Sequence, residues 1–324
     1  MDVNFHSVRL SEPIQPHQRG NVAEIILDNF KLVDKDIIII TSKIVAILEG
    51  RVVRLEDVKV RDRARKLAKI YGLNPKTVEL VLREGNILLL MPLHKFMRNK
   101  ASQDNLKSLT NPEVPEQELM RLYDNFKYIM ITHKHGLFTD TAGIDYSNMP
   151  EGYACLLPQN PMESAAKIRR EIKQKASLNV AVIITDTLGA SQGLKGSWDL
   201  PIGYSGIDPV ERNVGGKDVF GKYSTGGRGN YVLPLSAMAG LVQGNSNECT
   251  PISVARGLNY VSLDDDGMGY SDIKLNWRVP FHATIQTLLS TVWFHVIFTF
   301  IRLTSISDRR KLRVSSTDQD KFFK

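Results

Sequence analysis

Two short apolar runs constrain this 324-residue chain more than any other feature. Residues 36–40 read Asp-Ile-Ile-Ile-Ile and lead into Thr41, Ser42 and Lys43. Residues 180–187 read Val-Ala-Val-Ile-Ile-Thr-Asp-Thr. Unbroken runs of β-branched residues of this length suit buried strands. Each run delivers polar groups where it stops, hydroxyls and an ammonium from the first, a carboxylate between two hydroxyls from the second. A fold that buries both strands therefore presents these groups at strand ends.

Helices and further strands surround them. Residues 61–84 place apolar side chains at helical spacing, interrupted at Gly72-Leu73-Asn74-Pro75, which predicts two short helices. After Pro161, apolar positions 162, 165, 168 and 172 predict a helix running into the second strand. Residues 127–133 and 251–257 read as strands, and the stretch from Leu233 as a helix ending near Gly244. Residues 188–230 are rich in glycine and read as loop-dominated. Residues 93–126 are polar, carry Pro112 and Pro115, and read as an insertion. The pattern mixes strands and helices without an internal repeat, and sets an extension over 261–324 apart from residues 1–260.

The extension has its own character. Residues 281–301 hold no Lys, Arg, Asp or Glu, and residues 302–324 hold seven Lys or Arg against three Asp. The length of the apolar segment can span a bilayer. Its spacing of Phe281, Ile285, Leu288, Val292 and Val296 also suits an apolar helix buried in protein or lying on a membrane surface. Of the formal net charge of +7, this tail supplies four, so the body is only mildly basic and nothing calls for nucleic acid. The N-terminus lacks an apolar signal core, and two cysteines in a chain this long fit a reducing, cytoplasmic compartment.

Three groups of residues could carry chemistry. Asp145 and Asp186 are hard oxygen donors that could share Mg²⁺ or Mn²⁺, with Thr187 and Asn148 beside them. The alternative is an Asx turn at Asp145 and a structural cap at Asp186. Lys43, behind Thr41 and Ser42, could neutralise phosphate, although no Walker motif is present; taken alone, a surface lysine at a strand end is the better reading. The segment Gln243-Gly244-Asn245-Ser246-Asn247-Glu248 could let backbone and amides approach a ligand, or be a loop without function.

In order along the chain, DIIIITSKIVAILEGR, HGLFTDTAGIDYSN, CLLPQNPMESAAKIRREI, VAVIITDTLG, LPIGYSG, GGKDVFGK and LVQGNSNECTPISVARGL give a specific pattern. From about residue 10 to residue 258, apart from 93–126, the chain resembles the coenzyme F420-0:L-glutamate ligase (gamma-glutamyl ligase) family. The resemblance implies that family's mixed-sheet α+β fold, a homodimer, and an enzyme that joins L-glutamate to F420-0 while consuming GTP through an acyl phosphate. It implies that Asp145, Asp186, Thr187 and Asn245 hold divalent metal. Thr41, Ser42, Lys43 and Asn148 would face nucleotide, as would the Gln243-Gly244-Asn245 loop, with Glu248 nearby. Lys43, Asp145 and Asp186 would then carry the catalysis.

The chain departs from the family in two places. Where the family has Gly-Arg-x-x-Arg-x-Gly after the Thr-Asp-Thr, residues 189–196 here contain no Arg and only Lys195 as a cation. A lysine offers a point charge where arginine offers a planar fork. The apolar segment and basic tail also lie outside the family pattern. They leave open a second reading, a diverged nucleotide- and metal-binding protein with another acceptor or no ligase step, in contact with membrane through 281–301.

Overall fold

The computed structural model describes residues 2–91, 111–115, 117–118, 128–188, 198–209, 215–225 and 229–261, and in the extension 289, 292, 293 and 295–297. The chain divides into two units, Met1–Asp272 and Ile273–Lys324. In chain order the first contains β1 (Asn4–Ser7), α1 (Val22–Asn29), β2 (Ile37–Thr41), α2 (Ser42–Leu48), β3 (Val52–Arg54), α3 (Asp62–Tyr71), α4 (Pro75–Glu84), β4 (Asn86–Met91), β5 (Ile129–Lys134) and β6 (Leu137–Asp140). It continues with β7 (Tyr153–Cys155), α5 (Pro161–Ala176), β8 (Ala181–Leu188), β9 (Trp198–Ser205), α6 (Val232–Gln243) and β10 (Ile252–Arg256).

The isoleucine run is the middle strand of a five-stranded mixed sheet ordered β1-β10-β2-β8-β9. β2 and β8 pair in parallel, with Ile37 opposite Ala181 and Thr41 opposite Thr185, while the other pairings are antiparallel. Side chains alternate across a strand. Ile38, Ile40, Val182 and Ile184 therefore face α1, α2 and α5, meeting Ile26, Val45, Ile168 and Ile172. Ile37, Ile39, Ala181 and Ile183 face α6, meeting Val232, Leu235 and Ala239. Helices on both faces explain why β2 has no polar interruption. Its four isoleucines are fully buried, each worth about 1.5–3 kcal/mol of transfer free energy.

A second core lies among α3, α4, the three-stranded sheet β4-β5-β6 and the β3–β7 pair, built on Ala64, Ala68, Val78, Val81 and Met130. The break between α3 and α4 is chemically explicit. Gly72 closes α3 in the left-handed region at φ 63°, and the Asn74 side chain caps α4 by accepting from the Lys76 and Thr77 amides, with Pro75 in the first turn. Glu79, fully buried on α4, accepts from the side chains of Arg61 and Arg83 and from the Arg61 amide.

One expectation fails in an instructive way. Within the stretch read as loop-dominated, Trp198–Ser205 forms β9, a full strand paired along β8. Pro201 and Gly203 argue against a central strand, but β9 lies at the sheet edge, where a missing amide donor is tolerated. Gly203 is required by contact: a Cβ there would lie 2.4 Å from backbone atoms of Pro161. The insertion read over 93–126 lies outside the described residues except for 111–115 and 117–118. So does most of the apolar helix read over 281–301. Its described residues, Leu289, Val292, Trp293, His295, Val296 and Ile297, are helical and exposed, and no helix among the described residues is long and apolar enough to cross a membrane.

Candidate active site

The parallel pairing of β2 and β8 sets the site. With Thr41 level with Thr185, Ser42 opens α2 beside Asp186, which continues β8 opposite Leu200. The Ser42 hydroxyl donates to Asp186 Oδ1 at 2.7 Å. β2 passes into α2 without a loop, so Lys43 in the first turn of α2 stays close to the strand ends. Its ammonium pairs with Asp145 Oδ2 at 2.7 Å and donates to the carbonyl and hydroxyl of Ser147 at 3.0 Å. The other oxygen of Asp145 accepts from the Ser147 amide, so the Asx turn read as an alternative is present along with the cation pair.

Asn148 adopts a left-handed backbone at φ 53° and donates from its side chain to the Ser246 carbonyl at 2.9 Å, tying the Asp145 turn to the loop after α6. Gln243, the last residue of α6, is 3% exposed; its Nε2 donates to the Ile39 carbonyl, while its Oε1 is buried without a partner. Gly244 has φ 72°, and a Cβ there would fall 2.3 Å from the Glu248 side chain, so glycine is required. Asn245 Oδ1 lies 3.4 Å from the Thr187 hydroxyl. Glu248 turns back on its own loop to accept from the Ser246 amide.

All these residues line one cavity of about 540 Å³, with Leu10, Pro13, Ile14, Ile44 and Ile47 forming an apolar part of its wall. Two further carboxylates line it that the sequence did not single out, Asp140 at the end of β6 and Asp199 on β9. Asp199 is buried and accepts the Thr187 hydroxyl at 2.7 Å. The segment 189–197, which replaces the arginine motif, lies outside the described residues.

Charge in the cavity is unbalanced. Burial pushes the Asp186 carboxyl up to about 7; the Ser42 hydroxyl offsets part of this, and the charges of Asp145, Asp140 and Asp199 add to it. Burial also raises Asp140 and Asp199. Asp145 goes the other way: burial would raise it, but Lys43 and the Ser147 donors outweigh that and hold it below the usual range. Among the described lining residues one lysine, Lys43, thus faces five carboxylates, Glu248 included.

Such a donor set fits a hard divalent cation. Asp145, Asp186, the Thr187 hydroxyl, Asn245 Oδ1 and the orphaned Gln243 Oε1 are all oxygen donors of the kind Mg²⁺ and Mn²⁺ accept. No three His, Cys, Asp or Glu side chains among the described residues converge as a closed cage.

A family model described as F420-0:Gamma-glutamyl ligase matches residues 14–257. The coenzyme F420:L-glutamate ligase of Methanosarcina mazei is 29% identical over 276 residues, 85% of this chain and 93% of the relative. That of Methanococcus maripaludis is 32% identical over 261 residues, 81% of this chain and 90% of the relative. That of Methanocaldococcus jannaschii is 31% identical over 239 residues, 74% and 82% of the two chains. The matched span contains both parallel strand ends, the Asp145 turn and the loop after α6, and on that match the chain belongs to the F420-0:gamma-glutamyl ligase family.

Proposed function

We propose that the protein is a GTP- and divalent-metal-dependent ligase that joins the amine of L-glutamate to the terminal carboxylate of coenzyme F420-0. The observation that supports it is the convergence of Thr41, Ser42, Lys43, Asp145, Asn148, Asp186, Thr187 and the Gln243–Asn245 loop on one cavity. A carboxylate is a poor electrophile. Transfer of the GTP γ-phosphoryl group to it yields an acyl phosphate and GDP; the glutamate amine then attacks the acyl carbon and expels phosphate. The first transfer depends on alignment and charge neutralisation.

In this reading Lys43 exchanges its hold on Asp145 for a phosphate oxygen, and Ser42 and Asn148 position the nucleotide. Asp145 and Asp186 with Thr187 and Asn245 would hold the metal, and Gln243 Oε1, buried without a partner, would join them or accept from a bound group. Bound Mg²⁺ or Mn²⁺ would supply neutralisation of the phosphate charge. The apolar wall at Leu10, Pro13 and Ile14 offers a surface for a flat ring. A homodimer belongs to the same proposal, and its mass in solution by light scattering tests it.

The activity is tested by mixing the protein with F420-0, L-glutamate, GTP and Mn²⁺ or Mg²⁺, recording product mass and GDP. A glutamyl increment with stoichiometric GDP is expected. Metal-dependent GTP turnover without that increment would refute F420-0 as acceptor; no turnover by folded, metal-replete protein would refute the ligase.

A further inference from the structure

The geometry points to Asp199 as a positioning residue that acts through Thr187, committing the threonine's single hydroxyl proton so that its lone pairs face the metal. This rests on the metal reading given above and adds a residue to it.

Asp199 and Thr187 are direct cross-strand partners in the β8–β9 pairing, so their side chains stand on the same face. The Thr187 hydroxyl lies 2.7 Å from Asp199 Oδ1 and 3.4 Å from Asn245 Oδ1. A hydroxyl has one proton and two lone pairs. The shorter, charge-assisted bond takes the proton. With the proton committed to Asp199, Thr187 Oγ1 and Asn245 Oδ1 confront each other as two acceptors, an arrangement that a cation satisfies.

The rest of the fold holds Asp199 to this task. Gly240 of α6 closes on it from the other side, where an added Cβ would lie 2.8 Å from Asp199 Oδ2. The carboxylate is 4% exposed, and the threonine hydroxyl is its one hydrogen-bond donor among the described residues. Elsewhere the molecule gives buried acids full partners: Asp36 takes two bonds from Arg256 and one from the Val33 amide. A buried carboxylate so poorly served costs stability, which marks a role other than holding the fold. Outer partners that orient a metal-ligating group change metal affinity about 10- to 100-fold when removed.

The test is Mn²⁺ binding, with the free ion read by electron paramagnetic resonance, for the wild type, Asp199→Ala, Asp199→Asn, Thr187→Val and the Thr187→Val/Asp199→Ala double variant, each checked for folding by thermal melting. Asp199→Ala is expected to weaken binding about 10- to 100-fold. Asp199→Asn, which keeps an acceptor for the hydroxyl, should recover most of the loss, and Asp199→Ala should cost nothing further once Thr187 is valine. Unchanged Mn²⁺ affinity in Asp199→Ala would overturn the inference. So would an equal loss in the valine background, since Asp199 would then act on the ion directly. Where the alanine variant unfolds, Asp199→Leu, which fills the space without an acceptor, is compared in the two backgrounds, and an equal loss in both overturns it. A wild type that binds no Mn²⁺, alone or with GDP, would overturn the metal reading and this inference together; binding by the wild type with Asp199→Ala unaffected overturns this inference alone.

Discussion

Glu79 and Asp186 are both acids inside the same unit, and they are treated in opposite ways. Glu79 is fully buried between two guanidiniums and a backbone amide; burial would raise its pKa, but the Arg61 and Arg83 donors outweigh it and the acid stays below its ordinary range. Asp186 receives one hydroxyl and faces three other carboxylates, and it rises to about 7. The difference lies in the partners each acid receives. The second core has its charge balanced internally, whereas the cavity leaves a deficit of positive charge for something from outside to fill. An under-served acid is thus a stronger pointer to a site than a buried acid as such.

The most severe way to break the comparison is to neutralise the poorly served acid. Asp186→Asn should cut metal-dependent GTP turnover by about a thousandfold or more, in steady-state kinetics with saturating substrates. The same change should stabilise the ligand-free protein. Folded Asp186 holds its proton to about pH 7, whereas the unfolded carboxyl releases it near 3.8, so rising pH favours unfolding across that interval. The variant's advantage should be absent near pH 3.8, grow from there, and level off above pH 7 at up to about 4 kcal/mol, as read by urea denaturation.

The converse experiment removes the partners of the well-served acid. Arg61→Met with Arg83→Met strands Glu79 and should cost about 3–5 kcal/mol at pH 7, with turnover per folded molecule unchanged. For this acid the sign reverses: its depressed pKa contributes stability above its ordinary value of 4.5, lost as pH falls through the lowered one. The variant and the wild type should therefore converge in acid. A loss that persisted there would assign the effect to packing.

Lys43→Met sharpens the comparison by removing the one lysine among the described lining residues. The Lys43–Asp145 pair is part exposed, so stability should fall by only about 1 kcal/mol. GTP affinity by calorimetry should fall about tenfold or more, since a charged donor is lost. The smallest effect is expected at Gly240→Ala. Alanine should gain about 1 kcal/mol inside a helix. Here crowding of Asp199 should cancel that gain and leave the melting temperature nearly unchanged.

Much of this was readable from the chain. β2, β8, α5, the α3–α4 break and the end of α6 at Gly244 follow from periodicity, caps and prolines, because local chemistry decides them. Asp145, Asp186 and the loop after α6 were found because each terminates a recognisable element or falls in a specific motif. Asp140 and Asp199 were not. Asp199 sits two residues before Pro201 in a segment whose prolines and glycines suppress any strand signal, and its meaning arises only from being opposite Thr187. The usable clue was the alternation of Leu200, Ile202 and Tyr204 after it, too short beside so many glycines to outweigh them.

Four identical isoleucines carry a hazard for assembly. Neighbouring strands recognise each other by the sizes and faces of their side chains, and this run offers no marks by which to count. A slip of two residues keeps every isoleucine on an apolar face. It would carry Ser42 about 7 Å along the strand from Asp186. The partners being joined are 144 residues apart in sequence, so the pairing forms late and without local guidance. Counting falls to polar side chains instead: Asp36 is clamped by Arg256 at the start of β2, and Gln243 grips the Ile39 carbonyl along it. These contacts make the fold self-proofreading, and weakening them should yield chains that refold to compact, intact-looking and inactive molecules.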